Sequence, residues 1–254
     1  MNILFVGDLV GRPAVAYAVE RIRQIRADHA VDLVIVNAEN ATFDATTGKY
    51  GTDQATVELL FDAGVDVITG GNHTWDHSEA AVVLAHPRVL RPANVPADLP
   101  GHGSVTLEVG DENVTVVNLA MTDALAAATP LWPVWLSIDR RGTVVIDLHG
   151  MEPLGKRGFA LAIDGQAAAV LGTHTHEPSL ALDILPGGTA FVTEAGFTGP
   201  SGGAGGLATH VITAEIRGDR DPTSPTALAD GPMVLAAVLV TTDAGRGTAI
   251  QRLT

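Results

Sequence analysis

Eight polar side chains stand at or just beyond the ends of short apolar runs in this 254-residue chain: Asp8, Glu39, Asn40, Asn72, His73, His149, His174 and His176. Carboxylate, amide and imidazole are the ligand types that suit iron, manganese or zinc where thiolates are lacking. The chain has no cysteine, which excludes thiolate metal sites and disulfides alike. A carboxylate such as Glu39 can bridge two cations, and cations roughly 3.5–4 Å apart can activate one hydroxide and clamp the oxygens of a phosphoryl group. Each residue taken singly has a plainer reading. An Asp or Asn at a strand end is commonly a turn former or helix cap; Glu39 could make a surface salt bridge, and His149 could be a hydrogen-bonded core histidine. His174 and His176, alternating in Thr173-His174-Thr175-His176, would share one face if that stretch is a strand. Their joint recurrence after apolar runs is what favours one shared site.

A parallel sheet is the element that would bring them together. Residues 3–6, 32–37 and 65–69 are apolar runs that read as buried strands, followed by Gly7-Asp8, Glu39-Asn40 and Asn72-His73. Between them, Pro13 suits the first turn of a helix reaching about Asp28, with Ala16, Val19, Ile22 and Ile25 on one face and Arg21, Arg23 and Arg26 solvated. Thr52 suits the N-cap of a second helix over 53–63. The β-α-β-α-β order implies parallel strands with their tips on one edge, where open α/β sheets place their chemistry.

Further along, residues 41–51 read as a loop, 77–85 as a short helix and the proline-rich 91–101 as a loop. Residues 105–109 and 114–118 form an expected antiparallel pair. No element is assigned over 121–140, where Trp132 and Trp135 are expected to pack. A strand over 143–148 delivers His149, a helix covers 155–163, and a strand over 167–172 delivers His174 and His176. Hairpins are expected around Pro186-Gly187-Gly188 and over 233–253. Residues 199–206 form a glycine-rich loop, 210–218 fits strand or helix, and 219–232 reads as a surface loop. Neither a repeat nor a linker divides the chain, so one domain over 1–254 is expected.

The apolar fraction of 46% with 17% charged residues fits a soluble globular protein. A net charge of −14 argues against non-specific nucleic-acid binding. It leaves room for a small phosphorylated substrate, because bound cations invert the local field. Nothing approaches the ~20 apolar residues of a membrane span, and residues 1–8 carry no basic region ahead of their short apolar run. A cytoplasmic protein with no membrane partner is expected; a homo-oligomer is left open.

Gly7-Asp8, Gly71-Asn72-His73 and Gly172-Thr173-His174-Thr175-His176, in this order, resemble the calcineurin-like metallophosphoesterases. Gly7-Asp8-Leu9-Val10-Gly11, Asn37-Ala38-Glu39-Asn40, Gly71-Asn72-His73-Thr74-Trp75-Asp76 and Ala195-Gly196-Phe197-Thr198-Gly199-Pro200 are similar, more narrowly, to the YmdB branch of that superfamily. The resemblance extends over residues 7–200. It implies a four-layer α-β-β-α sandwich of two mixed sheets flanked by helices, with two divalent metal ions per chain, iron or manganese before zinc. It further implies that Asp8, Glu39 and His176 hold one metal and that Glu39, Asn72, His149 and His174 hold the other. Asn40 would lie near the first metal or the phosphate, and His73 would protonate the leaving oxygen after attack by a metal-bridging hydroxide. Members of the branch are phosphodiesterases, with 2′,3′-cyclic nucleotides among their substrates, so a small phosphodiester or nucleotide is the implied partner. Two departures stand out. Val10 replaces a histidine common in the superfamily, and His149 is followed by Gly150-Met151-Glu152-Pro153-Leu154-Gly155-Lys156, where only Lys156 matches the branch. The rival readings are a metal-dependent carbon–nitrogen hydrolase, whose His-x-His pair in barrel enzymes usually follows an early strand where here it follows a late one, and a regulator or scaffold that keeps a metal site with little turnover.

Overall fold

A computed structural model describes residues 1–221 and 226–253. The chain begins β1 (Asn2–Val6), β2 (Asp8–Leu9), α1 (Arg12–Asp28), β3 (Leu33–Asn37), β4 (Thr42–Asp44), β5 (Lys49–Gly51), α2 (Gln54–Asp62), β6 (Val67–Thr69) and α3 (Ala80–Val83). It continues through β7 (Ser104–Val109), β8 (Glu112–Ala120), α4 (Leu131–Ser137), β9 (Thr143–His149), α5 (Pro153–Ala162), β10 (Ala169–Thr173), β11 (Leu182–Ile184) and β12 (Ala190–Val192). It ends β13 (Phe197–Pro200), α6 (Thr209–Arg217), β14 (Met233–Val234), β15 (Ala237–Asp243) and β16 (Arg246–Leu253).

Two sheets, ordered β16-β15-β1-β3-β6 and β11-β12-β10-β9-β8-β7, carry the fold. Successive side chains of a strand point to opposite faces, and here both faces are apolar. Ile3, Phe5, Leu33, Ile35, Val67 and Val238 of the first sheet meet Val114, Val116, Val145, Ala169, Leu171 and Val192 of the second in a shared core. The alternate residues Leu4, Val6, Val34, Val36 and Ile68 pack outward against Ala14, Val15, Ala18 and Ile22 of α1 and Val57 and Leu60 of α2. On the other side Ile146, Leu148, Val170 and Phe191 pack against Trp135 of α4 and Phe159 and Ala160 of α5. The result is the four-layer α-β-β-α sandwich. Two stacked open sheets are not the barrel of the carbon–nitrogen hydrolase alternative.

Strands β1, β3 and β6 are parallel, as are β8, β9, β10 and β12. The tips of β3, β6, β9 and β10 thereby release Glu39, Asn72, His149 and His174 toward one region. β2 pairs in parallel with β13, setting Asp8 opposite Phe197.

Several local expectations are corrected. The 41–51 segment is not a loop but the β4–β5 hairpin, with Phe43 opposite Tyr50 and their rings edge-on at 5.4 Å. Asp53, not Thr52, caps α2: its Oδ1 accepts from the Thr56 N–H at 2.9 Å, while the Thr52 hydroxyl donates to the Ala38 carbonyl. In α1 the buried stripe is Ala14, Val15, Ala18, Ile22 and Ile25, so Ala16 faces water. Arg26 is not merely solvated, because its guanidinium reaches the Gly64 carbonyl and Asp66. Trp132 is 47% exposed, whereas Trp135 is fully buried. Residues 210–218 resolve to α6, ended by left-handed Gly218. The expected 233–241 strand is split, β14 pairing with β13 and β15 with β1. Of the expected loop over 219–232, residues 222–225 lie outside the described residues. Among the described residues no helix is long and apolar enough to cross a membrane.

Candidate metal centre and active site

At the tip of β3, the Asn37 Oδ1 accepts from the Glu39 N–H at 3.1 Å, an Asx-type turn that ends the strand. The Glu39 carboxylate, 2% exposed, is drawn inward by the His73 N–H on its Oε2 (3.0 Å) and the Asn40 amide on its Oε1 (3.2 Å). The loop after β6 is closed by Thr74, whose hydroxyl accepts from the Gly71 N–H and donates to the Gly71 carbonyl. A β-carbon at Gly71 would collide with Glu39 Oε2 and the His149 ring, so glycine is what lets this loop reach the carboxylate.

From the second sheet, His149 is fully buried and places Nε2 at 2.8 Å from Asn72 Oδ1 and 3.2 Å from Glu39 Oε1. Its other nitrogen lies 3.0 Å from Thr173 Oγ1, and that hydroxyl donates to Asp147 Oδ1 at 2.6 Å. Because the Thr173 proton is committed to Asp147, its oxygen accepts from His149 Nδ1–H, and Nε2 is the nitrogen left for the site. Asp147 also accepts from the Asn37 amide (2.9 Å) and the Thr69 hydroxyl (2.5 Å). Asp147 was missed by the sequence reading, although a lone aspartate inside the apolar run Val144-Val145-Ile146-Asp147-Leu148 was a signal that could have found it.

β10 stops at Thr173, and both His174 (φ 103°) and His176 (φ 65°) adopt left-handed backbone. The strand-like alternation expected of this stretch is therefore incorrect; the two imidazoles are turned into the site by irregular backbone. Such conformations cost a non-glycine residue on the order of 1–3 kcal/mol and persist where surrounding contacts over-determine them. The His174 N–H donates to Asp8 Oδ2 at 3.2 Å, and the His149 and His174 rings lie 4.5 Å apart between centroids. His176 donates from Nδ1 to the Gly205 carbonyl (2.9 Å), stacks on Phe197, and keeps Nε2 at 3.3 Å from the Asn40 amide.

Glu39, His149 and His174 offer ligand atoms within 4.8 Å of one another. Asn72, His73, Asn40, His176 and Asp8 are linked to that trio by the contacts above, so all eight residues singled out in the sequence converge. Asp76 joins them through His73, its Oδ2 lying 2.9 Å from His73 Nδ1, and Lys49 Nζ lies 3.1 Å from Asp76 Oδ1. His77 serves the next turn instead, accepting the Glu79 N–H on Nδ1. Glu39, Asn40, Asn72, His73, His174 and His176 open into a cavity of about 520 Å³ whose far wall includes Lys49, Tyr50 and Arg220.

The buried carboxylates and imidazoles set one another's charge. Burial pushes the Asp8 carboxyl up to about 7 despite His176 and His149 nearby. Glu39 resists its burial through the charge and hydrogen bond of His149 and is held down at about 2. Burial disfavours a charged His149, but Glu39, Asp8 and Asp147 overcome this and raise it to about 9. His174 is lowered to about 4 by burial and by the charge of His149. Asp8 Oδ1 is buried with no hydrogen-bond partner. The trio of Glu39, His149 and His174, with the Asn72 amide oxygen at His149 Nε2 and the orphaned Asp8 carboxylate oxygen on the residue that accepts from the His174 N–H, is a donor set that fits divalent cations.

The sequence model of the family described as YmdB-like protein matches residues 4–253. The chain belongs to the YmdB-like family. It is 33% identical over 252 residues to the 2′,3′-cyclic-nucleotide 2′-phosphodiesterase of Bacillus subtilis (strain 168), covering 96% of this chain and 92% of that protein. The crystal structure of a novel phosphatase from Mycoplasma pneumoniae superposes with a TM-score of 0.89 at 27% identity, covering 100% and 92% of the two chains. A calcineurin-like phosphoesterase of Bacillus subtilis, YfkN, shares the fold at 11% identity, with a TM-score of 0.56 over 99% and 90% of the chains.

The two departures in this YmdB-like chain now have structural settings. Val10 is buried and lines the cavity. In the 150–156 stretch, Met151 and Glu152 N–H groups bind Asp123, Glu152 caps α5 by accepting from Leu154 N–H (2.9 Å), and Leu154 is exposed. Lys156 alone turns inward, 1% exposed, with Nζ at 3.1 Å from Glu194 Oε2. It makes no contact with the cavity.

Proposed function

We propose that this chain is a dinuclear metal-dependent phosphodiesterase acting on 2′,3′-cyclic nucleotides or related small phosphodiesters. The observation that carries the reading is the convergence of Glu39, His149 and His174 within 4.8 Å at the base of a nucleotide-sized cavity. Family membership and the phosphodiesterase relative support the same activity. Asp8, Glu39 and His176 would hold one cation and Glu39, Asn72, His149 and His174 the other, with iron or manganese preferred by these nitrogen and oxygen donors. When bound, the pair supplies an activated water nucleophile and neutralises charge on the phosphoryl oxygens.

The chain's own residues do the rest. His73 lies at the cavity wall with Nδ1 committed to Asp76, which leaves Nε2 to carry the proton for the departing ester oxygen. Asn40 keeps its amide between Glu39 and His176 at the cavity wall, beside where a bound phosphoryl group would lie. Buried Glu39 keeps its charge at every working pH and so remains available to both cations.

Elemental analysis of protein purified without added metal, paired with hydrolysis of a 2′,3′-cyclic nucleotide in the presence of Mn²⁺ or Fe²⁺, tests the reading. About two metals per chain with turnover is the expected result. Metal binding without turnover of any phosphodiester would favour the regulator; no metal binding would end both readings.

A further inference from the structure

Lys156 and Glu194 form a buried ion pair that touches neither the cavity nor any proposed ligand, yet it brackets His174. Lys156 Nζ donates to the Thr173 carbonyl at 2.7 Å, on the N-terminal side of His174. Glu194 Oε2 accepts the Thr175 N–H (3.0 Å) and hydroxyl (2.8 Å) on its C-terminal side. The pair is closed at 3.1 Å, with both side chains within 3% of full burial. Glu194 is itself pinned: its Oε1 accepts the Gly196 N–H, its N–H donates to Ser179 Oγ, and its carbonyl accepts from Ser179 N–H and Arg252.

We propose that Lys156 and Glu194 are positioning residues that hold the Thr173–Thr175 backbone in the left-handed conformation from which His174 addresses the cations. The proposal rests on the metal-centre reading above. A left-handed histidine relaxes toward extended backbone unless the flanking peptide groups are tied. Here the carbonyl before His174 and the N–H after it are tied to opposite members of one ion pair, so neither can rotate without breaking a hydrogen bond to a buried charged group. This also accounts for Lys156 in a stretch otherwise unlike the family pattern: on the first turns of α5, it partners the ligand segment and not the substrate.

The test compares wild type, Lys156→Met/Glu194→Leu and a control, Phe159→Ala, which is buried in the same helix α5 but lies outside the bracket. The double variant leaves no unpaired buried charge. The probe is Co²⁺, read by its affinity and its visible ligand-field spectrum, with crystal structures of wild type and double variant. The expected result is roughly 10–100-fold weaker Co²⁺ binding with an altered spectrum in the double variant, wild-type behaviour in the control, and His174 outside the left-handed region in the double variant. Unchanged affinity and spectrum, or an equal loss in Phe159→Ala, would overturn the positioning role. If the double variant does not fold, Glu194→Gln, which keeps the side chain's shape, is read the same way. If wild type binds no Co²⁺, the metal reading fails on its own, and the crystal structures judge the bracket: a left-handed His174 retained in the double variant overturns it.

Discussion

Asp76 Oδ2 lies 2.9 Å from His73 Nδ1, three residues along the same loop, so the carboxylate fixes which imidazole nitrogen turns to the cavity. The Lys49 ammonium at 3.1 Å from the other Asp76 oxygen holds that carboxylate in place. Replacing His73 by Ala should lower turnover of a poor leaving group by about 10²–10⁴, the usual worth of a general acid, with metal content unchanged. A p-nitrophenyl diester, whose leaving group needs no proton, should lose far less. Asp76→Asn should fall between wild type and His73→Ala on the poor leaving group. Equal losses on both substrates in a steady-state comparison would remove His73 from the acid role.

Metal loading should release protons, and its pH dependence has a definite sign. His149 is raised from 6.5 to about 9, so its contribution to the stability of metal-free protein is complete below 6.5 and is lost as pH rises to 9. Asp8 is raised from 3.8 to about 7, so the fold holds its proton more tightly than the unfolded chain, and stability falls as pH rises across that window. Both effects have the same direction, that of Asp8 ending near pH 7 and that of His149 running from 6.5 to about 9. Chelated protein should therefore melt at progressively lower temperature between pH 6.5 and 9. Cation affinity should climb over the same range, by up to about tenfold per pH unit from His149 alone. Titration calorimetry at pH 7.5 in two buffers of different ionisation heat should register proton release; none would contradict a site in which His149 Nε2 is a ligand.

Glu39 accepts from His73, Asn40 and His149 at once, and is the carboxylate shared between the two proposed cations. Glu39→Gln keeps an acceptor oxygen for the His73 N–H but removes the charge opposite a buried His149. Metal content should fall from about two per chain toward zero, while the circular dichroism spectrum stays that of a folded protein. The melting temperature of the metal-free variant should change only as a loss of about 1–3 kcal/mol would shift it. A variant that keeps one tightly bound metal would show that Glu39 serves a single cation.

What the sequence made legible, and what it hid, follows from where polar groups sit relative to apolar runs. Asp8, Glu39, Asn72 and His149 each follow such a run, so parallel strands within each sheet and the stacking of the two sheets gather them. Asp147 and Lys156 lie inside a strand and a helix, where pattern assigns a polar residue to the solvent face; only the partners Thr173 and Glu194, distant in sequence, make burial tolerable. The left-handed backbone of His174 and His176 was hidden for a related reason: alternation reads as strand until tertiary contacts override it. The β4–β5 hairpin is concealed by its short strands and Thr- and Gly-rich turn, with Thr42, Phe43 and Tyr50 as its few strand formers.

Thr173 offers a test of how the second sheet prepares a ligand. Its hydroxyl stands between Asp147 Oδ1 (2.6 Å) and His149 Nδ1 (3.0 Å), and its carbonyl receives Lys156. Thr173→Val preserves shape and the carbonyl, but leaves His149 Nδ1–H without its acceptor and Asp147 with one donor fewer. The imidazole then loses the bond that selects Nε2 for the site, so metal affinity should weaken roughly 10–100-fold. The fold should lose about 1–3 kcal/mol for the unsatisfied buried group. Thr173→Ser restores the hydroxyl without the methyl and should recover most of the affinity, although the lost methyl is itself fully buried. If Val and Ser variants bind metal equally well, the hydroxyl bridge does not orient His149, and the packing of its buried ring alone must hold Nε2 toward Glu39.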